Sequence, residues 1–158
     1  MTDSLEVLPL ATTDTDFGDL AEDLVTLSKR IRAVFGKALA ETDFHNGQDH
    51  LIMALVPGTD IAVSALAIEL DVRPSTVSKM LDRLSARALV VRLPDPQDSR
   101  RTLLRLTAEG VDAQTKIRTL WAEIGRQIAP KQHEEAALMM IQIKRLNKIV
   151  HALLPRRR

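Results

Sequence analysis

The stretch from Val63 to Thr107 constrains this chain most, because helical spacing, a dense turn and strand-like runs follow one another there in quick succession. Pro74 suits the opening of a helix: its missing N–H would be unpaired at a first helical position anyway, and its fixed φ is already helical. From Pro74 to about Arg87, Val77, Met80, Leu81 and Leu84 recur at i, i+3, i+4 and i+7, which puts them on one stripe facing a core. At about 100° per residue, the opposite face carries Ser75, Ser78, Lys79 and Asp82, flanked by Thr76 and Arg83. A shorter helix, Val63 to Leu70, and a turn precede it. Two short helices of this kind match helix-turn-helix geometry, in which the second helix enters the DNA major groove. An ordinary solvated helix would show the same hydroxyls and cations, so the helix alone does not decide.

The segment beyond Arg87 decides more. Val90, Val91 and Leu93 form a β-prone run, Pro94-Asp95-Pro96-Gln97-Asp98-Ser99 is dense in turn residues, and Leu103, Leu104 and Leu106 form a second apolar run. Together they predict a two-stranded wing. Thr107, with Glu109 and Gly110 behind it, is a suitable N-cap for a long helix.

Val63-Ser64-Ala65-Leu66-Ala67, Pro74-Ser75-Thr76-Val77-Ser78 and Leu81-Asp82-Arg83-Leu84 resemble, in order and spacing, the MarR family of winged helix-turn-helix transcriptional regulators. The most specific part of the match is Asp95-Pro96-Gln97-Asp98-Ser99-Arg100 through Leu106-Thr107-Ala108-Glu109-Gly110, and the whole spans residues 48 to 112. The resemblance implies that Asp98 braces the wing, that Arg100 reaches into a minor groove, and that a small ligand releases the DNA. Two positions depart from the family pattern: Ala88 stands where Gly is usual, and Arg73 where Ser often precedes Pro74. An Ala forced to positive φ costs on the order of 1 kcal/mol, so a different helix ending is expected at Ala88. Arg73 has no side-chain oxygen with which to cap, and is instead a candidate for a phosphate contact.

Charge is segregated although the net value is only +1. From Val72 to Leu106 there are eight cations against three anions, while the first 23 residues hold seven anions and no cation. That is the footprint of one surface that meets phosphates beside others that do not. Hydrophobic residues at 45% suffice for a core, but aromatics at 3% leave little for stacking single-stranded bases. Cysteine is absent, which removes disulfides, thiolate redox switches and cysteine metal sites and points to the cytoplasm. No apolar run is long enough for a membrane span, and no signal peptide is expected.

Residues 1–15 read as a flexible acidic arm and 156–158 as a basic tail, either solvated or touching a phosphate. Residues 16–155 read as a single domain: mainly α with a small β wing, the winged helix-turn-helix lobe at 46–110 and dimerisation helices at 16–44 and 108–154. The first of these helices carries Phe17, Leu20, Leu24, Leu27, Ile31, Val34, Phe35 and Ala38. A second, about Gly47 to Leu55, turns Leu51, Ile52 and Leu55 inward, and Ile61 leaves room for a very short strand. Val111 to Ile128 form a helix ending before Pro130, and a last helix runs from about Gln132 to Leu153. Stripes this long exceed what one small lobe covers, and a two-fold homodimer is the most economical burial.

Enzyme chemistry is not expected: there is no Gly-rich phosphate loop, no G-x-S-x-G elbow and no cysteine nucleophile. His133-Glu134-Glu135-Ala136-Ala137 lacks the second His of a zinc-protease helix. His45 and Asp49, at i and i+4, would make at most a weak metal or carboxylate site, with His50 projecting elsewhere, so no cofactor or metal is assigned. The expected function is a sequence-specific double-stranded DNA-binding regulator, a repressor acting as a homodimer on a pseudo-palindromic operator. Its DNA-binding candidates are Arg73, Ser75, Thr76, Ser78, Lys79, Arg83, Arg100 and Arg101, with Asp98 supporting the wing. Arg30, Arg32, His45 and His50 are the candidates for holding a small effector, such as an anionic aromatic compound. The alternative of a different class is a winged-helix interaction module whose DNA binding is non-specific or lost, which the departures at Arg73 and Ala88 would favour.

Overall fold

The computed structural model describes residues 17–98 and 100–154. The acidic arm expected at 1–15 and the basic tail expected at 156–158 lie outside the described residues, as does Ser99 in the wing. The fold is mainly helical with one small antiparallel sheet, and it divides after Val34 into two compact units.

The first unit is the greater part of helix α1 (Phe17–Ala40). Its apolar stripe stays open: Phe17, Leu20, Leu27, Ile31 and Val34 are all exposed.

The second unit holds the end of α1 and every later element. These are α2 (Gln48–Ala54), β1 (Ile61–Ala62), α3 (Val63–Glu69), α4 (Pro74–Ala86), β2 (Val90–Pro94), β3 (Thr102–Leu106), α5 (Ala108–Ile128) and α6 (His133–Leu153). The sheet order is β1-β3-β2, with Ile61 opposite Leu104 on one side and Val90 opposite Leu106 on the other. The expected short strand at Ile61 therefore exists and completes the wing's base.

Inward residues of the end of α1 and of α2, α3, α4, β3 and α5 share one core: Leu39, Leu51, Ile52, Leu66, Val77, Leu81, Leu84, Leu104 and Ile117 are essentially inaccessible to solvent. Each such side chain contributes roughly 1.5–3 kcal/mol by leaving water. The stripe predicted on α4 is thus its core face, with Met80 at the margin. Leu51, Ile52 and Leu55 of α2 face inward as expected.

Three helices end in the same way. After α1, α3 and α4 the chain reverses through Asp43 (φ 58°), Asp71 (φ 50°) and Ala88 (φ 54°). At α4 the Ala88 N–H donates to Ser85 O (2.9 Å) and the Leu89 N–H to Leu84 O (3.0 Å), the paired bonds of a Schellman cap. Asp71 with Val72, and Asp43 with Phe44, repeat the pattern. The expectation of a different ending at Ala88 is therefore corrected: Ala takes the left-handed conformation that Gly would take. Burial of Leu84 and Leu89 on either side of the reversal offsets the strain.

Thr107 caps α5 as predicted. Its Oγ1 accepts from the Gly110 N–H (2.9 Å), and the hydroxyl lies 2.7 Å from Ala88 O and 3.0 Å from Leu89 O. The end of the α4 cap and the start of α5 are thereby joined. Farther along α5, buried Gln114 donates through Nε2 to Ile52 O and Leu55 O, both at 2.7 Å, and so pairs carbonyls left at the end of α2. On α6, by contrast, no residue is buried, and Leu138, Met140, Ile141, Ile143, Ile149 and Leu153 are exposed.

Candidate nucleic-acid interface

Because the apolar stripe of α4 is buried, the geometry of an α-helix turns Ser75, Thr76, Ser78, Lys79, Asp82 and Arg83 to solvent, and all six are exposed. Arg73 sits at the N-cap with extended backbone (φ −70°, ψ 142°) and makes no side-chain cap, while Pro74 follows at the first helical position. The Ser78 hydroxyl donates to Pro74 O (3.0 Å) inside the helix and keeps its acceptor lone pairs outward. Among the described residues, Arg73, Lys79 and Arg83 form no side-chain hydrogen bond or ion pair. Their charges are thus open to an outside anion.

The wing is shaped by its two aspartates. Asp95 Oδ1 accepts from the Gln97 N–H (2.9 Å) and Asp98 Oδ1 from the Arg100 N–H (3.0 Å). Backbone bonds from Asp95 N to Arg101 O and from Arg101 N to Asp98 O close the tip around them. Asp98 thus holds the backbone at Arg100. Arg101 Nε also lies 3.9 Å from Asp95 Oδ2, at the edge of an ion pair. Arg100 and Arg101 line a cleft of about 380 Å³ between wing and helix, together with Ser64, Pro74, Ser78 and Arg92. Residues from α3, α4 and both wing strands are brought to one surface.

Two ionic features of this lobe were not singled out from sequence. Arg92 on β2 pairs with Asp82 on α4 (Nη2–Oδ1 2.5 Å). Arg105 on β3 forms a two-pronged pair with Asp60 just before β1, at 2.6 and 2.7 Å. That fork holds the Asp60 carboxyl below its usual value, chiefly through the hydrogen bonds and then through the charge, and raises the Arg105 guanidinium in turn. The signal available in sequence was strand alternation alone, which cannot name a partner on another element.

The four effector candidates do not share one environment. Arg30 and Arg32 are exposed on α1 in the first unit, whereas His45 and His50 belong to the second. His45 is exposed and its backbone N–H donates to Gln48 Oε1 (3.0 Å). Buried Asp49 accepts at Oδ1 from the Gly47 N–H (2.9 Å). His50, expected to project elsewhere, is instead the histidine near Asp49, at 4.0 Å, and its ring stands 5.3 Å from that of Trp121. His45 precedes α2, with Gly47 at φ 95° between it and Asp49, so their i, i+4 spacing is not a helical one. Among the described residues no three His, Cys, Asp or Glu side chains gather as a metal site would need, and no helix is long and apolar enough to cross a membrane.

Comparison with known proteins places likenesses on this same lobe. The model of the MarR family matches residues 57–102. The uncharacterized HTH-type transcriptional regulator YhbI of Bacillus subtilis is 35% identical over 69 residues, which is 44% of this chain and 45% of that protein. The chain spans less than half the length of the curated relatives it matches. Whole-fold likeness extends further. The S. aureus MepR structure, a complex with DNA, superposes with TM-score 0.71 at 23% identity, covering 85% of this chain and 98% of that one. The PcaV transcriptional regulator of Streptomyces coelicolor, in complex with its natural ligand, gives TM-score 0.67 at 27% identity over 88% of this chain and 98% of that one.

Proposed function

We propose that this chain, whose lobe matches the MarR family model, is a member of that family and a sequence-specific regulator of transcription, a repressor that binds a pseudo-palindromic double-stranded DNA operator as a homodimer. The observation that carries the reading is the single surface on which the polar face of α4 and the arginines of the wing converge. In it α4 lies in the major groove, where Ser75, Thr76, Ser78 and Lys79 approach base edges and Arg73 and Arg83 approach phosphates. Arg100, presented by the Asp98 turn, enters the flanking minor groove, favoured where A·T-rich sequence narrows it, and Arg101 lies beside it.

The homodimer is supported by the exposed apolar residues of α1 and α6, which a second copy would cover with its own equivalent surface. Release by a small ligand is supported by less. His50 stands against Trp121, whose indole N–H is buried without an acceptor among the described residues. An anionic aromatic compound would stack and accept there, with His45 of the same unit as a further candidate for its carboxylate, while Arg30 and Arg32 stay separate candidates on the first unit.

Selection of bound sequences from a random duplex pool tests the whole reading. The expected product is a two-fold symmetric site with half-sites about one helical turn apart. Enrichment of no symmetric site would overturn the regulator assignment. Thermal stabilisation and loss of DNA binding across a panel of aromatic acids, repeated with His50→Ala, tests the effector separately.

A further inference from the structure

We infer that Arg92 is a positioning residue for DNA recognition: by holding Asp82 and the Ser78 carbonyl it fixes the wing against the recognition helix, so that both grooves are engaged at once. This rests on the regulator reading and deepens it.

Arg92 stands directly opposite Leu104 in the β2–β3 register, and Leu104 is fully buried. Opposed residues share a face of the sheet, so Arg92 leaves β2 on the side of the core. There the core has run out. On β2 only Val90 is buried, and beyond it wing and helix part around the cleft lined by Ser64, Pro74, Ser78, Leu81, Arg100 and Arg101. Arg92 bridges from one wall to the other, with Nη2 2.5 Å from Asp82 Oδ1 and 3.5 Å from Ser78 O. Its two partners are one helical turn apart, so a single nitrogen, Nη2, held by both bears on the rotation of α4 as well as on its distance.

Stability does not explain the pair, since ion pairs between exposed side chains add little to it. Affinity does not explain it directly either. Asp82 continues the outward stripe of Ser75, Ser78 and Lys79, and an anion on that face repels phosphates. What the pair supplies is geometry. The helix and the wing tip must reach different grooves of one duplex, and beyond Val90 no buried residue of β2 sets the angle between them.

The two explanations predict opposite signs for Asp82→Asn. Removing an anion should tighten binding to every duplex if electrostatics alone operates. Loss of the brace should instead weaken binding to the selected site by about tenfold, an effect comparable to one mismatched base pair. It should also abolish hydroxyl-radical protection of the flanking minor groove while leaving the major-groove contacts. Arg92→Ala should lose the same protection. Arg92→Lys, which keeps the charge but ends in an ammonium about one bond short of the Nη2 position, should keep non-specific affinity and still lose it. Asp82 is exposed, so Asp82→Asn decides the question even if Arg92→Ala melts early by circular dichroism. Unchanged or tighter binding by Asp82→Asn with the protection intact would overturn the inference. So would equal weakening of all duplexes by Arg92→Ala with the protection retained, or a wild-type footprint lacking flanking protection. If the wild type selects no site at all, the regulator reading fails and the inference falls with it.

Discussion

The guanidinium of Arg87 lies over the ring of Phe44, 4.4 Å from its centroid, and its Nη1 donates to the neighbouring carbonyl of Asp43 at 2.6 Å. The residue that ends α4 is thereby tied to the turn that closes α1, two Schellman caps joined by one side chain. Phe44 is buried partly under that guanidinium. Replacing Arg87 by Ala should cost about 2 kcal/mol, the low end of the sum of an exposed cation–π contact and a charged hydrogen bond. Arg87→Lys should recover less than half, because an ammonium cannot stack flat on the ring while donating sideways. Urea unfolding followed by circular dichroism measures both.

Ala88→Gly should stabilise the lobe by about 1 kcal/mol, since Gly meets no Cβ penalty at φ 54°. Ala88→Val at the same site should destabilise it. Midpoints of denaturant unfolding at constant slope decide, and a lower midpoint for Ala88→Gly would contradict the strained cap.

Gly110 is held by space, not by backbone torsion. A Cβ there would sit 2.2 Å from Leu89 O and 2.6 Å from Leu106 Cδ1, and the carbonyl cannot swing away because Thr107 N donates to it at 3.2 Å. Gly110→Ala should cost about 3 kcal/mol and move the start of α5 from the wing's base. The amide chemical shifts of Leu89, Leu106 and Thr107 should report the movement.

The Asp60–Arg105 fork predicts an acid-side effect of definite sign. Asp60 titrates lower in the folded chain than in the unfolded one, so its contribution is complete above the ordinary Asp value of about 3.9 and disappears as pH falls through the folded value. Carboxyl NMR titration should place Asp60 below the other exposed aspartates, and Arg105→Ala should return it to the ordinary range. An unshifted Asp60 in the parent protein would refute the fork as a solution feature.

For DNA, four to six phosphate contacts per dimer should give log affinity falling against log salt with a slope of about −4 to −5. Lys79→Ala together with Arg100→Ala should weaken binding to the selected site by a few kcal/mol and flatten that slope. A slope near zero would contradict the role given to the basic surface.

From the sequence by itself came everything that depends on short-range period and composition. The stripe of Val77, Met80, Leu81 and Leu84 determined which face of α4 is buried, and therefore which residues point outward. Turn chemistry at Asp95 and Asp98, the Thr107 cap and the clustering of arginines placed the wing and its charge. These are local preferences, felt within one or two turns of chain.

Only the tertiary structure decided the rest. Ala88 adopts a left-handed conformation because the buried leucines beside it outweigh a local penalty, and no local rule weighs the two. Gln114 finds the carbonyl of Ile52 62 residues away, Arg92 finds Asp82, and Asp49 turns to Gly47 rather than to His45. Each choice is made among partners that come within hydrogen-bonding reach only after the core has assembled, and hydrophobic patterning assembles that core without regard to which polar groups it brings together.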